Sequence, residues 1–329
     1  MDNETETTLI VAGSAGSIGP NGAGPGGSLR LSAHLSRDRQ LYLMFLPIAV
    51  WLIMFRYIPM YGIQIAFKNF RIGDGIAGSR WVGFQHFVRM FGSQEFYLIV
   101  RNTLLLNLYQ LAFQFPAPIV LALMLNEVRS IWFKKTTQTL LYVPHFISWV
   151  VLGGILINLL SPSSGVVNSI LVKLFGMEPI HFLIMEPWWV FWFILSGIWK
   201  TVGWGTIIYL AAMSGIDPQL YEAATLDGAG KFKQIRHITL PCISGTIGIL
   251  LILNLGNFMD IGFEQILMLQ NNVVRSVADV IPTYVYRMGL QGGFYSYTSG
   301  IGFFQSIVGL VLIWVANRIV KALGGSGLW

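Results

Sequence analysis

The sequence predicts an all-α, polytopic membrane protein with six transmembrane helices. Three observations predict it. Hydrophobic residues make up 54% of the chain and charged residues only 11%, whereas soluble domains carry about 25% charged residues. Mean hydropathy is +0.62. Six apolar stretches are long enough to cross a bilayer, which takes roughly 20 residues. The 36 glycines and 11 tryptophans suit helices packed closely in lipid, with aromatic rings at its borders. The single cysteine, Cys242, excludes an internal disulfide and a cysteine metal cluster. Directly after Pro241, it reads as a small packing residue.

Residues 1–29 are rich in Gly, Ser, Asn and Pro, and Asp2, Glu4 and Glu6 are their charges. This composition predicts a disordered cytoplasmic tail. It lacks the basic n-region of a signal peptide. Residues 30–329 form the transmembrane domain. Arg30, Arg37 and Arg39 precede the first span, 41–62. The other spans are predicted at 98–125, 137–159, 187–212, 241–262 and 299–321. Pro47 and Pro59 lie in the first, Pro116 and Pro118 in the second, and Pro144 in the third. Each is expected to bend its helix. An even number of spans puts both termini on one side. The excess of Lys and Arg on that side makes it the cytoplasm. The outer loops 63–97, 160–186 and 263–298 are then long and hold Trp81, Phe84, Phe87, Trp188 and Trp189. Loops of this size fold together or carry function.

Between the fourth and fifth spans, Tyr221 to Pro241 reads YEAATLDGAGKFKQIRHITLP. Asp217-Pro218 is a helix start, with Asp at the N-cap and Pro in the first turn. Ala223 and Ala224 give a small-residue face. Asp227-Gly228 breaks the helix, because Gly takes left-handed backbone angles at little cost. A second short helix follows, with Phe232, Ile235 and Ile238 on one side. From these residues alone the segment is either a docking knob or an ordinary amphipathic linker.

The segment resembles the EAA loop of permease subunits in ATP-driven importers that use a substrate-binding protein. Glu222, Ala223, Ala224, Gly228, Leu240 and Pro241 occupy that motif's places. The resemblance extends over nearly everything from about residue 38 onward. IPMYGIQIAFKNF (58–70), RNTLLLN (101–107), LLYVPHFISWVV (140–151) and GNFMDIGFEQILMLQN (256–271) resemble one branch, the permeases for complex oligosaccharides and polysaccharide fragments. Importers of alginate and of pectic fragments belong to it. The resemblance implies the type I ABC importer permease fold and a bacterial cytoplasmic (inner) membrane location. It implies that loop 217–240 couples to an ATPase through Glu222, Ala223, Ala224, Asp227, Gly228, Leu240 and Pro241. It implies a second homologous permease subunit, two ATPase subunits and an extracytoplasmic sugar-binding protein as partners. Membrane lipid surrounds the spans, and no nucleic acid is involved. This chain is then expected to bind no cofactor, with ATP and Mg held by the ATPase subunits.

Polar groups inside a span are expensive and are functional candidates. Asn254, Asn257, Asp260 and Glu264 are spaced to share one face of a continuous fifth helix. They either line a sugar pathway or bond to neighbouring helices. Lys200 lies mid-span in GIWKTVGWG, where a cation costs about 2.5–3.5 kcal/mol on insertion scales. It meets an acidic sugar, a helix carbonyl or an acidic side chain. In the first case, its removal impairs acidic cargo more than neutral cargo. Trp149 and Trp204 are either sugar-stacking rings or packing residues. His145 reads as hydrogen-bonded structure rather than a metal ligand. Gly228-Ala229-Gly230-Lys231 fails as a phosphate loop, because Thr225 and Phe232 replace its first Gly and last Ser/Thr. No HExxH or G-x-S-x-G motif occurs. The chain therefore reads as a transport subunit with no ATPase site of its own. The alternative, a membrane-embedded glycan-processing enzyme, rests on the Asp260/Glu264 pair alone. An ATP-independent channel leaves the coupling loop unexplained.

Overall fold

The structure, a computed structural model, describes residues 39–256, 258–259 and 261–322. The expected tail 1–29 lies outside the described residues. Five helices are long and apolar enough to cross a membrane, or six when one bent pair counts as a single span. They are Gln40–Phe67, Gln94–Glu127, the pair Ile131–Phe146 and Trp149–Leu159, Glu186–Ser214, Lys231–Gly256 and Tyr295–Ala322.

The chain divides into two compact units, residues up to Tyr61 and residues from Gly62 onward. In the first unit, large apolar side chains from Leu41 to Tyr61 stand exposed around the helix. A helix apolar on every side needs lipid or another helix around it. In the second unit, Ala122, Tyr209, Met213 and Ile243 join the second, fourth and fifth spans. Ile252, Ala316 and Val320 join the fifth and sixth. Leu106, Leu152, Trp189, Phe193 and Ile266 form a further core. The third and fourth spans approach closely at Gly203, where a Cβ would sit 2.0 Å from the Leu141 carbonyl oxygen.

The prolines act through a recurrent device. π-Helical turns occupy Ile53–Tyr57, Gln110–Gln114 and Ile235–Thr239. Each ends two residues before a proline: Pro59, Pro116 and Pro241. A proline ring clashes with the carbonyl four residues back. Widening the preceding turn removes that clash without ending the helix.

Two predicted spans need correction. The third, expected as one helix over 137–159, is broken. Its first part ends in a 3-10 turn at Val143–Phe146, Ser148 caps the helix Trp149–Leu159, and the two parts meet at 101°. Pro144 in the turn and the Ser148 side chain, which accepts from Val151 N at 3.3 Å, fix the break. The fifth, expected at 241–262, starts at Lys231 and ends at Gly256. The expected second short helix of the loop is therefore the start of this span. Glu264 belongs to a separate helix, Phe263–Leu269, so it does not share a helix with Asn254. Asn257 and Asp260 lie outside the described residues.

The chain is helical apart from one hairpin among the described residues, with Lys68 opposite Trp81 in antiparallel register. Phe67 stacks on Trp81 at 5.7 Å beside Phe84, Phe87 and Phe303. The loop between the fifth and sixth spans is pinned to the second. Asn102 donates to the carbonyls of Ser276 and Asp279, both at 3.0 Å. Asp279 is buried and pairs with Arg287 at 2.6 Å.

Candidate functional site

At the end of the molecule joining the fourth and fifth spans, residues 217–240 form an elbow. Asp217 caps the helix Pro218–Leu226, its carboxylate accepting from Gln219 N at 2.9 Å. Gly228 then turns the chain at φ +75° with open space around it. Two side-chain bridges staple the arms together. The buried Gln234 amide donates to Thr225 Oγ1 at 2.9 Å and to the Ala229 carbonyl at 3.2 Å. The hydroxyls of Tyr221 and Thr239 lie 2.9 Å apart. Lys231 pairs with Glu127 from the end of the second span at 3.0 Å. A hollow of about 960 Å³ lies between this elbow and residues 126–129, with Glu222 and Arg129 in its wall.

The elbow's apolar groups face outward. Leu226 is 89% exposed and Phe232 is 74% exposed. Glu222, Ala223, Asp227 and Pro241 are exposed as well, and Ala224 and Leu240 are partly covered. Sequence reasoning missed Gln234, Tyr221, Thr225 and Thr239 as staples. Their side chains carry no motif, and only folding brings them together.

Deeper along the same spans, a cleft of about 330 Å³ opens between the second, fourth and fifth. Gln110, Gln114, His145, Thr201, Trp204 and Asn254 supply its polar lining. Trp204 and Asn254, both pathway candidates, meet here. The π turn sets Gln110 and Gln114 in the wall. Gln114 Nε2 donates to Thr201 Oγ1 at 3.0 Å. The His145 ring stacks on Trp204, 4.6 Å between centroids and 4° from parallel. Trp204 is still 46% exposed. Gln114 Oε1 and His145 Nδ1 are buried without a hydrogen-bond partner.

Lys200 sits at the break in the third span and is 9% exposed. Its ammonium donates to the carbonyls of Pro144 at 3.5 Å, His145 at 3.0 Å and Ile147. It also lies 5.4 Å from the centre of the Trp149 ring. Of the three partners open to it in the sequence, helix carbonyls are the ones it bonds. The break frees backbone acceptors, and a cation is the group that satisfies several at once. The Trp149 ring is thereby engaged with Lys200. Glu264 is exposed and makes no contact with the cleft. The amides Gln110 and Gln114 were missed, although two such residues four apart inside a span and just before Pro116 are a readable signal.

The family of binding-protein-dependent transport system inner membrane components matches residues 114–325. The polygalacturonan/rhamnogalacturonan transport system permease protein YteP of Bacillus subtilis (strain 168) is 47% identical over 300 residues, covering 91% of this chain and 93% of that protein. Protein LplB of the same organism is 45% identical over 297 residues, covering 90% and 93%. A chain in the crystal structure of a bacterial alginate ABC transporter, in complex with an alginate pentasaccharide-bound periplasmic protein, superposes with a TM-score of 0.85 at 43% identity. It covers 91% of this chain and 100% of that one.

Proposed function

Because this chain belongs to the binding-protein-dependent transport system inner membrane components, we propose that it moves acidic oligosaccharide fragments across the bacterial cytoplasmic membrane, driven by partner ATPases. It is a permease subunit of an ABC importer for sugars, and not an enzyme with its own ATPase site. Polygalacturonan and alginate, named for its relatives, are both polymers of uronic acids. That shared chemistry supports an acidic cargo.

The observation that carries coupling is the elbow. It is stapled by buried hydrogen bonds and presents Leu226 and Phe232 with nothing over them. An ATPase groove covers them, and Glu222, Ala223, Ala224, Asp227 and Gly228 shape the contact, with Leu240 and Pro241 setting the elbow on the fifth span. Two ATPase subunits hold ATP and Mg, one for each of two homologous permeases. The second permease and lipid cover the bare first span. A sugar-binding protein docks at the end opposite the elbow, and both termini lie in the cytoplasm. The glycan-processing alternative gains no support, since Glu264 is exposed on a short helix of its own.

The test replaces Leu226 and Phe232 together by Asp. The variant still inserts, but the ATPase no longer co-purifies, and sugar no longer stimulates ATP hydrolysis. Retained co-purification with normal stimulation refutes the docking.

A further inference from the structure

We propose that the cleft between the second, fourth and fifth spans is a sugar subsite that reads uncharged hydroxyls, with Gln114 and His145 as specificity-determining residues. This rests on the transport reading and deepens it.

Two buried polar atoms without partners, Gln114 Oε1 and His145 Nδ1, belong to residues of this one cleft. Buried polar groups are almost always hydrogen-bonded, and an unpaired one is costly. Two around a single opening point to a guest that hydrogen-bonds to both. The cleft's size fits the smaller range of small-molecule sites, or about ten waters. The guest's shape is set by the aromatic slab. His145 and Trp204 lie parallel, and much of Trp204 stays open. A sugar ring offers C–H groups to such a face and hydroxyls around its rim. Gln110, Thr201 and Asn254 add amides and a hydroxyl to the same wall.

The cleft's charge is equally informative. Among the described residues lining it, none is Lys, Arg, Asp or Glu. The nearby cation, Lys200, has its protons directed at three carbonyls. Nothing in this wall pairs with a carboxylate. A uronic acid therefore meets this wall through its hydroxyl and C–H faces, with its carboxylate turned away.

The test uses the whole importer, with partner permease and ATPases, in nanodiscs without the binding protein. Galacturonate trisaccharide and its carboxyl-reduced counterpart are titrated against tryptophan fluorescence. Parent protein binds both within threefold of each other. His145→Phe keeps a stacking ring and loses Nδ1; Gln114→Leu loses the amide. Each weakens binding of both sugars five- to tenfold, the loss of one buried hydrogen bond. His145→Gln restores a polar group and brings affinity back within threefold of the parent. Co-purifying ATPase subunits show that the variants assemble. Parent-like titration of both variants means that the cleft holds only water, and overturns the subsite. Reduced sugar binding more than tenfold weaker than the acidic one overturns the hydroxyl reading. Vesicle uptake by the parent separates the layers. If the parent imports no oligosaccharide, the transport reading fails. If it imports while the variants bind like the parent, only the subsite fails.

Discussion

Replacing Lys200 by Met tests what the intramembrane cation does. Its ammonium donates to the carbonyls of Pro144, His145 and Ile147 at the break in the third span. Hydrogen bonds to a charged group contribute about 1.5–3 kcal/mol each, so three give about 5–9 kcal/mol. Removing an intramembrane cation returns about 2.5–3.5 kcal/mol of insertion cost. The net loss is about 2–6 kcal/mol, concentrated where the two halves of the span meet. Met keeps the apolar stem, so the close approach at Gly203 survives. The variant should unfold at lower temperature in detergent, and vesicle uptake should fall for acidic and neutral oligosaccharides alike, within twofold of each other. A normal unfolding temperature with loss of the acidic sugar alone would falsify this account and make Lys200 a contact of the cargo carboxylate.

Four further outcomes are expected. Gly228→Asp places a side chain at φ +75°, a strain of about 1–2 kcal/mol; vesicle uptake falls while membrane insertion persists, and unchanged uptake argues against a tight turn at the docking surface. Gln234→Leu breaks the buried staple to Thr225 and Ala229, so amide exchange across 218–226 quickens about tenfold, the effect of one lost hydrogen bond. Lys231→Ala removes an exposed pair with Glu127 of the kind that contributes about 0.2–1 kcal/mol, so uptake stays within twofold of the parent. Asp279→Asn strips the charge partner from Arg287 at a buried site; calorimetry should show a lower unfolding midpoint, with ATPase co-purification untouched.

The spans were legible because apolar length is a local property. The elbow was legible because Asp217-Pro218 and Asp227-Gly228 write a start and a stop into the chain. The break at 147–148 was not legible from length. Ile131–Phe146 and Trp149–Leu159 pass the test for a span together, and hydropathy carries no direction. The end of the fifth span at Gly256 was hidden for a similar reason. Asn254 and Glu264 sit at helical spacing, yet the helix stops between them. The engagement of Lys200 depends on carbonyls more than 50 residues away in sequence, so it became visible only in the fold.

The cleft shows how the prolines build a site that no motif encodes. Irregular backbone at membrane depth is tolerated where it is buried in protein or lines a cavity. Pro116 follows a π turn that places Gln110 and Gln114 in the wall. Pro144 breaks the third span, which puts His145 against Trp204 and leaves carbonyls for Lys200. Both irregularities face the same opening. Pro241 and its π turn belong to the fifth span, which runs unbroken from Lys231 at the elbow to Gly256. Asn254, near its far end, lines the cleft. At 1.5 Å per residue, Lys231 and Asn254 are roughly 35 Å apart on one helix. A push on the elbow thus reaches the cleft along one continuous element, and the turn before Pro241 is where that element bends most readily.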